Sequence, residues 1–158
     1  MKKRIAIIGA LVSLLPMRQF LVIGTGAALT SAAVRLSAPQ IAQAESAHFY
    51  FIRGVKKYMG KDYSGCISEL TKAIAINSSN ATYYLYRGNC KYFATDVYGA
   101  ISDITQSIEI GGQFLPKAYV QRGIVKMTIG DEKGACSDWR KASSLGNEIA
   151  AQWVRDKC

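Results

Sequence analysis

The sequence predicts an all-α fold: an α-solenoid of three helix-turn-helix repeats with a capping helix at the carboxyl end. An Arg-Gly pair recurs at spacings of 34 and 35 residues, as Arg53-Gly54, Arg87-Gly88 and Arg122-Gly123. Apolar residues within each unit recur three or four positions apart, as in Phe51, Val55 and Tyr58, which is the spacing of one helix face. Because one pair of short helices cannot bury its own apolar face, the three units are expected to stack into one core.

Three further positions keep the register of the Arg-Gly pair. They are an aspartate, a glycine and a small residue, which stand at Asp62, Asp96, Asp131, at Gly65, Gly99, Gly134, and at Ala73, Ser107, Ala142. Each aspartate is expected to begin a second helix, where its carboxylate accepts hydrogen bonds from free amide groups. The first helices are expected to end at Gly60, Ala94-Thr95 and Gly130. The two helices of a unit are expected to cross closely where the Gly of the Arg-Gly pair faces an Ala or Cys.

With this register, the chain resembles the tetratricopeptide repeat family, whose pattern begins W-x2-L-G and continues with A-x3-F. Tyrosines stand at the Trp position, and the second element takes three forms: Cys66-x3-Leu70, Ala100-x3-Ile104 and Ala135-x3-Trp139. The predicted domain covers residues 45–158, with repeats at 47–80, 81–115 and 116–149 and a cap at 147–158. The chain departs from the family in having Arg in place of Leu before each Gly and in lacking Pro at the repeat ends.

Residues 1–44 are interpreted as a signal peptide or an N-terminal membrane segment. A basic start, MKKR, precedes two apolar runs, and Ala42 and Ala44 are small residues of the kind found at cleavage sites. A leader usually has about 15–30 residues, so Met17 is an alternative start. Cleavage after Ala44 predicts an exported protein, periplasmic or otherwise extracytoplasmic, including a lumen. If the leader is retained, it anchors the protein and provides its one membrane contact.

The charge distribution argues against a nucleic-acid partner. The formal net charge is +9, but residues 1–44 contribute five basic and no acidic residues, and the rest of the chain carries +4. No basic run in that remainder is long enough to follow a phosphate backbone.

Four cysteines in an exported chain allow three disulfide pairings. The repeat register places Cys66 and Cys90 on consecutive helices, and it does the same for Cys136 and Cys158. We therefore predict the bridges Cys136–Cys158 and Cys66–Cys90, although Cys66 and Cys90 could equally be small buried thiols.

No metal site, cofactor or catalytic site is predicted. The cysteines lack a C-x-x-C spacing, and the one histidine, His48, stands at the start of the first helix. Glu69, Asp103 and Asp138 share one repeat position, where solvated or interface acids are expected rather than a catalytic pair.

The resemblance implies that the inner faces of the first helices line a concave groove for a protein or peptide partner. The groove residues carried over by position are Phe51, Val55, Tyr58, Leu85, Tyr86, Asn89, Tyr92, Phe93, Lys117, Val120, Gln121, Ile124 and Met127. Some family members clamp the terminal carboxylate of a chaperone with Lys and Asn, at positions that here hold Phe51, Val55, Tyr86, Lys117 and Gln121. Among these five residues only Lys117 suits that task, so an apolar peptide or amphipathic helix is the expected ligand.

These features predict a non-enzymatic adaptor or assembly scaffold. One alternative is a self-associating structural component of an envelope or secretion assembly, a homo-oligomer formed through the same groove. A second alternative assigns the groove aromatics to packing between helices.

Overall fold

A computed structural model describes residues 46–158 of the chain. The predicted leader at 1–44 and the alternative start at Met17 lie outside the described residues. Residues 46–158 form seven helices and no strand: α1 (Ala47–Met59), α2 (Tyr63–Ile76), α3 (Ala81–Phe93), α4 (Val97–Ile110), α5 (Leu115–Thr128), α6 (Glu132–Ser144) and α7 (Glu148–Lys157). Each helix packs against the next, so the predicted all-α solenoid is confirmed. Across this range, every helix is too short or too polar to cross a membrane.

The recurring aspartates begin the second helices. Asp62, Asp96 and Asp131 each accept a hydrogen bond, 2.9 Å long, from the backbone N–H of the glycine three residues later. A Cβ atom at any of these glycines would overlap the carboxylate of its aspartate. The periodic Asp and Gly are therefore one capping unit, since the glycine leaves room for the side chain that caps the helix.

The glycine of each Arg-Gly pair permits a close helix crossing, but its partner differs from the expectation. A Cβ at Gly54 would lie 2.8 Å from Leu70 Cγ, and one at Gly88 would lie 2.7 Å from Ile104 Cγ1. At Gly123 the obstacle is the indole ring of Trp139. The expected Ala lies opposite the glycine only at Gly88, where the Ala100 carbonyl oxygen would be 3.1 Å from a Cβ, and the expectation was wrong at Gly54 and Gly123. The glycine accommodates the large residue one turn later on the second helix.

The first helices end where predicted, with C-caps at Gly60, Ala94 and Ile129, and the residue after each cap is left-handed. Gly60 has an ordinary φ of −80°, whereas the next residue, Lys61, has φ 60°. The equivalent residues Thr95 and Gly130 have φ 68° and 77°. Thus Gly130 occupies the position that favours glycine, while in the other two repeats a side chain is held in a conformation that costs about 1–2 kcal/mol.

The core is divided into three clusters, each of which joins consecutive helices. The first consists of Cys66, Leu70 and Cys90 from α2 and α3. The second joins α3, α4 and α5 and consists of Leu85, Ala100, Ile104, Ala118 and Val125. The third joins α5, α6 and α7 and consists of Val120, Ala135, Trp139, Ala142 and Ala150. Because every cluster crosses a repeat boundary, a repeat does not complete its core alone.

Two disulfides tie neighbouring repeats together. Cys66 in α2 is joined to Cys90 in α3, and Cys136 in α6 is joined to Cys158 at the end of α7. Both partners of the first bridge are fully buried, while Cys158 is exposed. The structure thus contains both predicted bridges and assigns Cys66 and Cys90 to a bond rather than to free thiols.

Candidate binding groove

The first helices of the three pairs lie side by side and form one face of the solenoid. Helix α1 contacts α3, and α3 contacts α5, in addition to the contacts within each pair. Helix α7, which follows the third pair, takes the place that a first helix would have in a fourth repeat. The inner face is therefore built from α1, α3, α5 and α7.

Aromatic rings cover the inner face between α1 and α3. The ring centroids of Phe51 and Tyr86 are 5.4 Å apart, and Tyr58 lies 6.3 Å from Tyr86 and 5.9 Å from Phe93. Tyr63, at the start of α2, stacks on Phe93 at 5.2 Å. We call these five residues the aromatic surface. Edge-to-face contacts between such rings contribute about 0.5–1.5 kcal/mol each beyond area burial, so the rings hold each other in place.

The aromatic surface is incompletely covered by the rest of the domain. Phe93 is 48% exposed, and Ile52 and Met59, which directly follow Phe51 and Tyr58 in α1, are 54% and 76% exposed. Partial burial, reinforced by the neighbouring phenols of Tyr63 and Tyr86, raises the pKa of Tyr58 above its ordinary value. The Tyr58 hydroxyl is therefore neutral at physiological pH and can donate a hydrogen bond at the edge of an apolar patch.

A lysine in the first turn of α5 supplies positive charge beside the aromatic surface. Lys117 of α5 places its Nζ 5.7 Å from the centre of the Tyr86 ring, within the range of a cation–π contact. It forms no ion pair within residues 46–158. Close by, a cavity of about 250 Å³ is lined by His48, Phe51, Asn80, Thr82, Tyr83, Tyr86 and Phe114. Tyr83 and Phe114 were missed by the sequence prediction because they belong to the helix edge and to the loop before α5.

Two predicted groove residues lie in the core instead. Leu85 is fully buried and Val120 is 8% exposed, and both belong to core clusters. Asn89, also predicted to line the groove, is buried at 9% exposure, and Tyr92 packs against the cluster around Leu85. The prediction that Leu85 and Val120 line the groove was wrong, because those positions point from the first helix toward its neighbours. Phe51, Val55, Tyr58, Tyr86, Phe93, Lys117, Gln121, Ile124 and Met127 all keep some exposure.

The far end of the inner face is a pocket rather than an aromatic surface. Ile124, Met127 and Thr128 of α5 face Trp153 and Lys157 of α7, and Trp139 of α6 completes a cavity of about 340 Å³. The sequence prediction placed Ile124 and Met127 in the groove and missed Trp139, Trp153 and Lys157, because Trp153 and Lys157 belong to the cap and Trp139 to a second helix.

The acids at the shared repeat position are buried ion-pair partners, which corrects their interpretation as solvated or interface acids. Asp103 accepts two hydrogen bonds of 2.7 Å from Arg87, and Lys91 lies 2.9 Å away. Arg122 and Lys126 bind Asp138 in the same way. The hydrogen bonds to these aspartates raise the pKa of both arginines.

The arginines of these ion pairs also link successive repeats. Arg87 donates to Thr71 and Arg122 donates to Thr105, each threonine standing on the second helix of the preceding repeat. The Arg that departs from the family pattern is thus explained: it connects the two helices of its own repeat and the repeat before it. Most cations of the first helices are engaged in this way and do not form an open basic surface.

Solved structures share this architecture, although the sequence matches no protein-family model and no curated protein. The TPR domain of OM64 from Arabidopsis is 28% identical with a TM-score of 0.65, over 72% of this chain and 98% of that one. The second TPR domain of human RPAP3, in complex with the HSP70 peptide SGPTIEEVD, is 24% identical with a TM-score of 0.62, over 70% and 97% of the two chains. The second TPR of Spaghetti (RPAP3), bound to the HSP90 peptide SRMEEVD, is 25% identical with a TM-score of 0.60, over 64% and 93%.

The helix order, the stacked pairs and these similarities agree with one another. Residues 46–158 therefore have the fold of a tetratricopeptide repeat domain, with three repeats closed by a capping helix.

Proposed function

We propose that residues 46–158 form a non-enzymatic protein-binding module, an adaptor or assembly scaffold that holds a peptide or helix of a partner in its groove. The observation that carries this proposal is the aromatic surface with its exposed neighbours Ile52 and Met59. Contiguous exposed apolar surface on a soluble domain marks an interaction site, and Tyr and Phe are effective anchors because few rotatable bonds must be fixed on binding.

Peptide complexes of domains with this fold support a peptide-binding role, but the ligand proposed for this groove differs from theirs. The RPAP3 domains bind the chaperone peptides SRMEEVD and SGPTIEEVD, both of which end in two glutamates, a valine and an aspartate. In this groove the Tyr86 ring contacts Phe51 and Lys117, and Lys117 is the one cation that contacts this ring within residues 46–158. We therefore propose an apolar or aromatic segment as the ligand, rather than an acidic chaperone tail.

Replacing Tyr86 by Asp tests the groove. Tyr86→Asp places a charge at the centre of the aromatic surface, and truncating an interface hot spot costs about 2 kcal/mol or more, which is roughly a thirtyfold loss of affinity. The matched control is Tyr98→Asp, because Tyr98 is a 76% exposed tyrosine on the outer helix α4. The proposal expects crosslinked pull-down from the native host to fail with Tyr86→Asp and to succeed with Tyr98→Asp. Equal recovery of the partner by both variants would exclude the groove.

Self-association is the second candidate, because the same exposed apolar residues could be covered by a second copy of the chain. Light scattering on purified protein separates the two functions. A monomer favours the adaptor, whereas a dimer that Tyr86→Asp dissociates and Tyr98→Asp does not would favour the structural component.

We also propose that the protein works outside the cytoplasm after cleavage at Ala44. The two disulfides, which use all four cysteines, support an oxidising compartment. Amino-terminal sequencing of protein from its host should begin at Glu45, and denatured, unreduced protein should show no reactive thiol. Four reactive thiols would overturn the oxidising compartment, and a sequence beginning within residues 1–44 would overturn the cleavage site.

A further inference from the structure

The pocket between α5 and α7 exists because repeat three lacks the tyrosine that the first two repeats carry at the position of Met127. Ile124, Met127 and Thr128 stand at the repeat positions of Val55, Tyr58 and Met59. In repeat one, the Tyr58 ring fills the space between successive inner helices by contacting Tyr86 and Phe93. In repeat three the equivalent space is a cavity of about 340 Å³. This volume lies within the range of about 300–1,000 Å³ that small-molecule sites occupy.

The pocket has rigid walls. The Trp139 indole packs where a Cβ of Gly123 would otherwise lie, and its Nε1 donates to the Val120 carbonyl at 3.4 Å. Trp153 meets Trp139 edge to face, with centroids 5.1 Å apart. Behind Trp153, the Cys136–Cys158 bridge holds the end of α7 to α6. The cavity is therefore preformed by a hydrogen bond, a ring contact and a covalent link, which lowers the ordering cost of binding a ligand.

The pocket has few polar groups. Its lining is apolar except for Thr128 and Lys157. The Thr128 hydroxyl donates its proton to the Val125 carbonyl, so only the lone pairs of its oxygen remain available to a ligand. Lys157 forms no ion pair within residues 46–158, and α5, which forms the opposite wall, contains no Asp or Glu. An apolar cavity with a single cation at its edge is complementary to an apolar body that carries one negative charge.

We propose that this pocket binds a small aromatic or branched aliphatic carboxylate. The apolar body lies between Trp139, Trp153 and Met127, and the carboxylate pairs with the Lys157 ammonium. This ligand site is separate from the aromatic surface between α1 and α3, and it does not depend on the partner proposed for that surface.

Tryptophan fluorescence tests the proposal directly, because both tryptophans of the chain line the pocket. The probe is 4-phenylbutyrate, and its neutral amide is the matched ligand without the charge. Titration of the oxidised protein should give a saturable change in fluorescence, with the carboxylate binding roughly threefold tighter than the amide, as expected for an exposed ion pair. Lys157→Gln should remove the difference between the two probes. Absence of saturation with 4-phenylbutyrate, or an unchanged preference in Lys157→Gln, would overturn the proposal.

A variant that restores the repeat pattern locates the site. Met127→Tyr puts into repeat three the tyrosine that repeats one and two carry as Tyr58 and Tyr92, and it should fill the cavity and abolish binding. Thr128→Phe, which copies Phe93 of repeat two, is a second filling variant in case the first perturbs the fold, as circular dichroism would report. Tyr86→Asp should leave the titration unchanged. Binding that survives both filling variants would place the probe elsewhere and contradict the assignment.

Discussion

In repeat one the acid of the buried ion pair is Glu69, and its partners Arg53 and Lys72 are about half exposed. In repeats two and three the acids are Asp103 and Asp138, and their Arg and Lys partners are 16–20% exposed. The geometry differs as well, since the Asp pairs are bidentate while Glu69 Oε2 lies 3.1 Å from Arg53 Nε without a hydrogen bond. The comparison teaches that identical repeat positions differ in energy, with the ion pair of repeat one closer to a surface pair.

The repeats also differ on the inner face, in exposed apolar residues rather than in ion pairs. There repeat one supplies the exposed apolar residues and part of the aromatic surface, while repeat three leaves a cavity between α5 and α7. Positions that maintain the backbone, such as the capping Asp and its Gly, are the same in all repeats. Positions on the inner face, such as Val55, Asn89 and Ile124, change from one repeat to the next. Variation at these inner-face positions is consistent with the proposed role of the face in binding.

Removing the buried acid should have the largest effect on stability. Asp103→Ala leaves Arg87 and Lys91 partly buried without a counter-charge, and breaking such a pair costs about 3–5 kcal/mol. Glu69→Gln should cost about 1 kcal/mol or less, because its cationic partners are half solvated. Urea unfolding of the two variants measures the difference. Equal losses of unfolding free energy would mean that the two ion pairs do not differ as their burial indicates.

Opening each disulfide should destabilise the protein by a similar amount but with different local consequences. The two bridges close loops of 24 and 22 residues in sequence separation, so removal of either should cost about 3 kcal/mol. Cys136→Ser with Cys158→Ser should in addition increase hydrogen exchange throughout α7, because a helix of ten residues is marginal without tertiary support. Cys66→Ala with Cys90→Ala serves as the comparison and should leave exchange in α7 unchanged. Loss of protection in α7 in both variants would contradict a local role for the second bridge.

The turn residues allow a stabilising substitution. Thr95 has φ 68°, where a β-branched residue is strained, and its repeat equivalent is Gly130. Thr95→Gly should stabilise the protein by about 1 kcal/mol, and Gly130→Ala should destabilise it by a similar amount. Thermal unfolding of the two variants shows the sign of each effect. A destabilising Thr95→Gly would mean that the hydrogen bond from Thr95 to the Ala94 carbonyl outweighs the backbone strain.

The smallest predicted effect on stability comes from replacing Lys57, because the lysine at this repeat position has a different partner in each of the other repeats. Lys57 donates to Asp62 at 2.7 Å, whereas the equivalent Lys91 and Lys126 bind the buried aspartates. The hydrogen bond from Lys57, followed by that from the Gly65 amide, lowers the pKa of Asp62. A lowered folded pKa adds stability above the unfolded pKa, and this contribution is lost as the pH falls through the folded pKa.

Lys57→Gln should therefore raise the pKa of Asp62 toward its ordinary value, as an NMR titration of the carboxyl group would show. Its small deficit in stability should be present near neutral pH and vanish in acid. The control Lys91→Gln should leave the pKa of Asp62 unchanged. A deficit that persists below the folded pKa of Asp62 would show that Lys57 acts through something other than this contact.

The repeat period predicted the helix order, the helix caps and the pairing of cysteines, because all of these follow from local spacing. The pairing of Arg87 with Asp103 was missed even though both residues recur in register, 16 residues apart. Burial of Leu85 and Val120 was also missed. Each first helix has neighbours on two sides, and the crossing angles decide which residues face them. The repeat register places Trp153 34 residues after Tyr119, where a fourth repeat would have its aromatic residue, but the pocket beside Trp153 was missed because it depends on how the cap packs against α5 and α6.

Photocrosslinking from the inner face tests the central proposal most directly. A photoreactive phenylalanine analogue at position 52 replaces Ile52, an exposed residue beside the aromatic surface, and the same analogue at position 98 replaces Tyr98 on the outer face. Irradiation in the native host should give a discrete adduct with a second protein from position 52 and none from position 98. Adducts from position 98 alone, or from neither position, would contradict a partner-binding groove on α1 and α3.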